Sequence, residues 1–311
     1  MKTGIKIFAP ASVGNLGIGF DCLGLCLEHP GDEIIAKFTD EHEGLRISEI
    51  TGAQGKLPYE PDRNTAGVAA LALLDHLGET KRGIDFRLHK KMPFGSGLGS
   101  SAASAVAGAM AINELFRRPL EKRDLLPFAM AGEELASGGR HADNVAPSLL
   151  GGIVLIRDNE TLDVHRLPLL RGLQVVVIYP KVEILTRDAR GILSDSVPLS
   201  SHVRQSANLA AFVVAAYRGD LELMARSLND VVIEPQRKQL IPGFDEVKQA
   251  ALEAGAMGCS LSGSGPSIFA LCKNTLVAER VAQALEAPFR RRKIRTKRFI
   301  SAINQEGAIK C

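Results

Sequence analysis

Two hydrophobic periods alternate along the first half of the chain. Runs at residues 4–10, 32–38, 45–50 and 84–90 alternate apolar and polar positions and predict strands. Residues 64–77 instead repeat apolar positions three and four apart, which predicts a helix, with Gly78 placed to cap its C-terminus. Residues 100–116 form an Ala-rich helical stretch, and residues 124–137 another, with Pro127 expected in its first turn. Short β-branched runs at 151–157 and 173–179 read as buried strands. The polar stretch between them, residues 158–172, contains Pro168 and is the expected boundary between domains 1–165 and 166–311. The second half predicts helices near 200–217, 221–229, 245–254 and 275–285, and strands at 259–262, 267–272 and 294–303. Strands and helices mix without a strict βαβ rhythm, which suggests an α+β fold in two domains.

Composition narrows the class. The chain has 311 residues, 45% hydrophobic and 23% charged, the balance of a globular protein. No apolar run reaches the roughly 18 residues of a membrane span. Residues 1–8 pass straight into strand pattern without a secretory apolar core, so no membrane partner is expected and the cytoplasm is the expected location. A net charge of +3 does not argue for nucleic acid. The dense basic run at 290–298 lacks interleaved aromatics and reads as a solvated face. Five cysteines, with no CxxC pair, read as buried thiols in a reducing compartment.

The most informative segment is Met92-Pro93-Phe94-Gly95-Ser96-Gly97-Leu98-Gly99-Ser100-Ser101-Ala102-Ala103. It joins a strand to a helix. Glycine backbone can approach an anion closely, and the helix start adds unpaired N–H groups and the positive end of its dipole. That is a phosphate cradle, although the Gly-Lys-Ser/Thr of a Walker A loop is missing. The serine hydroxyls can ligate Mg²⁺ or donate to phosphate oxygens.

Four further segments carry polar groups among glycines. Residues 10–21 embed Asn15 and Asp21, which either cap their own turns or face a ligand. In residues 132–147, Glu133 and Glu134 precede a glycine turn and then His141, Asp143 and Asn144. A carboxylate there could hold Mg²⁺ opposite the phosphate loop. Thr186-Arg187-Asp188-Ala189-Arg190 and Glu234-Pro235-Gln236-Arg237 offer arginines suited to carboxylates, although spacing alone leaves them as surface charges. Residues 258–267, around Gly263, form a small-residue loop that is either a plain hairpin or a partner of the substrate or of the first glycine loop.

These five segments, in this order, resemble the GHMP kinases over nearly the whole chain, and most closely their homoserine-phosphorylating branch. The resemblance implies an N-terminal α+β domain that holds ATP and a ferredoxin-like C-terminal domain that closes over it. It places Pro93 to Ala103 on the nucleotide and Asn64 near the nucleoside. It gives Mg²⁺ to Ser100 and Glu133, with Glu134 as the alternative register. It places Asn15, Asp21, His141, Thr186, Arg190, Arg237 and Gly263 around L-homoserine, the substrate for ATP-dependent phosphorylation in threonine biosynthesis. Other family members place a catalytic aspartate with a lysine after the glycine turn. No such pair stands out here, so the implied reaction is direct attack by the substrate hydroxyl, with Asn144 a candidate to orient it. A homodimer is expected on family grounds alone. The alternatives are another small-molecule kinase of the superfamily, or a non-catalytic binding protein on the same scaffold.

Overall fold

The computed structural model describes residues 4–168, 171–182, 184 and 186–311, the side chains of 186 and 187 excepted. Strand β1 (Ile5–Gly14) buries Ile7, Ala9, Ala11 and Val13 and pairs antiparallel with β2 (Leu23–Phe38). The register shifts between Pro10 and Ser12, where proline lacks the N–H that a regular ladder needs. The expectation for β2 covered only residues 32–38, because Glu28-His29-Pro30-Gly31 interrupts the alternation. The strand instead runs through that interruption. One half pairs with β4 (Ile84–His89) and the other with β5 (Ile153–Asp158). β3 (Leu45–Thr51) lies parallel to β4 at the edge.

Helices α1 (Thr65–His76), α2 (Ser100–Leu115), α3 (Leu126–Ser137) and α4 (Val145–Leu150) cover this sheet. Pro127 sits in the first turn of α3, as expected. α2 is buried on nearly every side, so it carries alanines in place of an amphipathic stripe. A Cβ on Gly108 would stand 2.2 Å from the Ala66 carbonyl oxygen, so α1 and α2 meet backbone to backbone.

The second sheet has the order β10-β7-β9-β8, from β7 (Gln174–Pro180), β8 (Gly258–Leu261), β9 (Ile268–Cys272) and β10 (Thr296–Ala302). All its pairings are antiparallel. This is the β-α-β-β-α-β order of a ferredoxin-like unit. Both faces are buried, which is why β7 and β9 read as unbroken apolar runs. Val175, Val177, Phe269 and Leu271 join the core shared with the first sheet. Val176, Ile178, Ile268 and Ala270 face α9 (Phe244–Glu253) and α10 (Thr275–Arg291). Four other helices lie between β7 and α9: α5 (Thr186–Gly191), α6 (Leu199–Arg218), α7 (Leu221–Ser227) and α8 (Glu234–Arg237).

Two strands escape the sequence pattern. β6 (Asp163–Leu167) pairs with β5 inside the stretch expected to be a linker. β11 (Ile309–Lys310) returns to pair with β1. The expected boundary at 165/166 thus falls within a strand, and the end of the chain belongs to the first sheet. The basic run is solvated and ion-paired: Glu246 meets Arg291 and Arg292, and Glu286 meets Arg298. Cys26, Cys259 and Cys272 are buried as expected, whereas Cys22 is half-buried and Cys311 exposed. Among the described residues no helix is long and apolar enough to cross a membrane.

Candidate active site

The five polar segments converge on one cleft of about 580 Å³ where the two sheets meet. The loop between β4 and α2 forms its floor. Gly97 and Gly99 have φ of 75° and 65°, which favours glycine. Space requires it as well. A Cβ on Gly97 would stand 2.5 Å from the Ser262 carbonyl oxygen, and one on Gly99 would stand 2.2 Å from Ser12 Oγ. The small-residue loop of the second domain is therefore packed on the first glycine loop. Ser262 Oγ donates to the Gly97 carbonyl (2.7 Å), Ser267 N–H to that of Ser96 (3.2 Å) and Gly263 N–H to that of Gly14 (3.1 Å). Gly95, Ser96, Gly97, Gly99, Ser100 and Ser101 line the cleft, and the positive end of α2 opens into it.

Beside this cradle stands Glu133 of α3. Its carboxylate is buried, and Oε2 has no hydrogen-bond partner among the described residues. Burial pushes its pKa up to about 7, against the pull of the Ser101 hydroxyl that hydrogen-bonds it. Glu134 is exposed and off the cleft. An unpartnered carboxylate oxygen near serine hydroxyls is a hard-oxygen set that suits Mg²⁺. That ion typically takes one or two protein ligands and completes its shell with phosphate and water. The described residues hold no cluster of three or more acidic, His or Cys groups that would cage a metal without a nucleotide.

The far end of the cleft is charged. Asp21 receives three hydrogen bonds from Arg190 (3.1, 3.0 and 3.2 Å), and His141 Nδ1 lies 3.3 Å from it. Asn15 holds this corner together: its Oδ1 accepts the Asp21 N–H (2.9 Å), and its Nδ2 donates to the Gly263 carbonyl (3.1 Å). Arg237 is almost fully buried. Its Nε donates to the Ala189 carbonyl (2.8 Å) and its terminal nitrogen to that of Gly263 (3.2 Å). Both guanidinium groups lie over the Phe20 ring, 5.2 and 5.0 Å from its centroid. Burial, then the Arg190 charge, lowers the Arg237 pKa. Burial also lowers that of His141, against the attraction of Asp21.

Between the two ends, Asn144 accepts from Ser12 Oγ (2.9 Å) and approaches Asp143 Oδ2 through Nδ2 (3.3 Å). Asp143 is fully buried and pushed up to about 7, first by burial and then by Asp21.

Some expected residues do not reach the cleft wall. Asn64 caps α1, accepting from Ala66 N–H (3.1 Å) and donating to the Pro58 carbonyl (2.9 Å); Thr65 lines the cleft instead. Leu98, Ala102 and Ala103 are core residues behind the loop, and Pro93 stands beside it, off the wall. The Thr186 side chain lies outside the described residues. The sequence reading missed Ser12, Asp32, Lys90 and Leu57; half-exposed Phe94, inside the expected nucleotide loop, forms an apolar rim with Leu57. Asp32 and Lys90 fall on the inward face of their strands, in step with Ile34 and Ala36 and with Phe86 and Leu88, so a charge at a core position was the signal that could have found them. Asp143 stood in a quoted segment without a role, and with Lys90 it puts an aspartate and a lysine on the same cleft.

The family models for the GHMP kinase N-terminal and C-terminal domains match residues 64–152 and 212–291. A homoserine kinase of Chlorobaculum tepidum is 42% identical over 318 residues, covering 99% of this chain and 98% of the relative. One from Chloroherpeton thalassium is 45% identical, covering 91% and 92%. The chain belongs to the GHMP kinase family. A crystal structure of homoserine kinase from Cytophaga hutchinsonii superposes with a TM-score of 0.97 at 48% identity, covering 100% of this chain and 98% of that one. L. major mevalonate kinase, 18% identical with a TM-score of 0.73 and 97% of each chain covered, shares the fold. The two-domain GHMP kinase fold thus agrees with the α+β expectation.

The buried carboxylates give the ligand-free protein a pH signature. An acid whose pKa is higher folded than unfolded binds more protons when folded. Stability therefore falls as pH rises from the unfolded value near 4 through the folded value of about 7, and is level above that. Asp143→Asn removes one such proton. Urea unfolding at pH 8 should show the variant more stable than the parent by on the order of 1–3 kcal/mol, with the gap closing by pH 4.

Proposed function

We propose that the protein is a homoserine kinase that transfers the γ-phosphoryl group of Mg-ATP to the side-chain hydroxyl of L-homoserine. The product is O-phospho-L-homoserine, on the route to threonine. The observation that carries this reading is charge placement. One cleft joins a glycine phosphate cradle to a pocket where Asp21 meets two guanidinium groups, Arg190 and Arg237, with the buried Asp143 on the same cleft. A zwitterionic amino acid needs that complement: a carboxylate for its ammonium and arginines for its carboxylate. Mevalonate and galactose carry no amine and offer Asp21 no cation of their own. The full-length similarity to homoserine kinases supports the same conclusion.

In this reading the triphosphate lies along Gly95–Ser101, and the base meets the apolar rim of Leu57 and Phe94. Glu133 and Ser100 would hold Mg²⁺, which supplies charge neutralisation at the phosphates. Asn144 orients the substrate hydroxyl for direct attack, with its own amide fixed by Ser12. Rate then comes from positioning and charge. Cytoplasmic action and a homodimer belong to the same family-based reading.

An ADP-release assay over a panel of hydroxylated metabolites tests the assignment. Homoserine should far exceed mevalonate, galactose and shikimate; equal or greater turnover of mevalonate overturns it. Glu133→Gln should lower kcat about a hundredfold or more, while Glu134→Gln, an exposed change, stays near the parent. The reverse pattern moves the metal site by one residue. Arg237→Leu should raise KM for homoserine by at least tenfold, since an unpaired buried charge costs about 2–5 kcal/mol, and leave ATP binding nearly unchanged. Normal homoserine binding with lost ATP affinity would assign Arg237 to the nucleotide instead.

A further inference from the structure

Beneath the phosphate loop lies a buried ion pair. Asp32 of β2 and Lys90, just past β4, are both nearly inaccessible and in direct contact. Asp32 Oδ1 accepts the backbone N–H groups of Lys91 (2.8 Å) and Met92 (3.2 Å). Its Oδ2 accepts from Lys90 Nζ and from the Ser100 hydroxyl (3.0 Å). The Lys90 ammonium also donates to the Ser100 carbonyl (2.8 Å) and Ser104 Oγ (2.6 Å). An ammonium has three protons, and all three are used. Lys90 lines the cleft, but it has no proton left for a phosphate oxygen and cannot act as a P-loop lysine does.

The same count applies to the serines. A hydroxyl has one proton and two acceptor lone pairs. The Ser100 proton is held by Asp32, so its oxygen can offer only lone pairs to the cleft. The Ser101 hydroxyl is engaged by Glu133. We infer that Asp32 and Lys90 are positioning residues that commit Ser100 to a metal rather than to phosphate. The Asp32 carboxylate takes the proton and raises the donor strength of the oxygen. Lys90 neutralises Asp32 and fixes its rotamer against the first turn of α2. Outer-shell carboxylates of this kind typically change metal affinity by about 10–100-fold. The inference rests on the Mg-nucleotide part of the proposed function and not on the identity of the acceptor.

A double-mutant cycle over Asp32→Asn, Ser100→Ala and their combination tests it, read by Mn²⁺ binding to the protein–ADP complex by electron paramagnetic resonance. ADP affinity without metal and thermal unfolding are measured alongside. Each single change should weaken Mn²⁺ about tenfold and leave metal-free ADP affinity within about twofold. The double variant should be no weaker than Ser100→Ala, because both act through one oxygen. Additive losses, or an equal loss of metal-free ADP affinity, would show that the pair merely scaffolds the loop. If Asp32→Asn fails to fold, Asp32→Asn/Lys90→Met removes both charges together. It should then show the same metal defect, and normal Mn²⁺ affinity in it overturns the inference. A parent protein that binds Mn·ADP but does not phosphorylate homoserine sinks the substrate assignment alone. One that binds no Mn·ADP sinks both.

Discussion

The site depends on a contact between two backbones. The loop at Gly97 and the loop at Ser262–Gly265 approach closely enough that a single added Cβ would collide with a carbonyl oxygen. The hydrogen bonds across that seam are Ser262 to Gly97, Ser267 to Ser96 and Gly263 to Gly14. They lock the phosphate cradle of the first sheet to a hairpin of the second. Arg237 and Asn15 both bind the Gly263 carbonyl, so the charged pocket is measured from the same seam as the cradle. An error of an ångström in the seam would separate two reactants that must meet in line, and misplacements of that size cost orders of magnitude in rate. The shared hydrophobic core supports this rigidity, because residues of β7 and β9 pack directly against the first domain.

Without substrate, the charged pocket satisfies itself. Arg190 and Asp21 form a two-pronged pair, with His141 on the same carboxylate. A zwitterion that enters exchanges one internal ion pair for two intermolecular ones, so the number of unmatched charges does not rise. A ligand with only a carboxylate can pair with Arg237 but brings no cation to Asp21, so it gains one ion pair where a zwitterion gains two. Discrimination thus comes as much from what the pocket already pairs as from what it offers. Arg237 is tied to backbone carbonyls and, among the described residues, has no acidic side chain as a hydrogen-bond partner, so on the proposed function it is the receptor for the carboxylate.

Much of this was legible in the sequence, and the rest was hidden for physical reasons. The Gly95–Ala103 segment announced itself because few other uses require three alternating glycines before a good helix. Asp21, His141, Arg190 and Arg237 were placed through family resemblance; spacing alone left each arginine a surface charge. Long-range closure was invisible. β11 is two residues long and finds its partner at the other end of the chain. β6 is polar because it sits at the sheet's edge. Asp32 and Lys90 break the alternation by placing charges on the inward face, but each lies at the end of its run, and only the fold shows that the two meet. Asn64 shows the opposite case: its segment lies next to the cleft, but its Oδ1 caps α1 and its Nδ2 is turned to the Pro58 carbonyl, and the neighbouring Thr65 reaches the wall.

The electrostatics of the cleft then follow from which charges are neutralised internally. Asp32 is cancelled by Lys90 and Asp21 by Arg190. Among the described residues Glu133 and Asp143 have no ion-pair partner, and burial raises both to about 7. On the proposed function, the metal neutralises carboxyl groups that an anion alone would meet, and the phosphates complete a shell that the protein alone does not fill, so nucleotide and metal binding are positively coupled, each strengthening the other by the same factor.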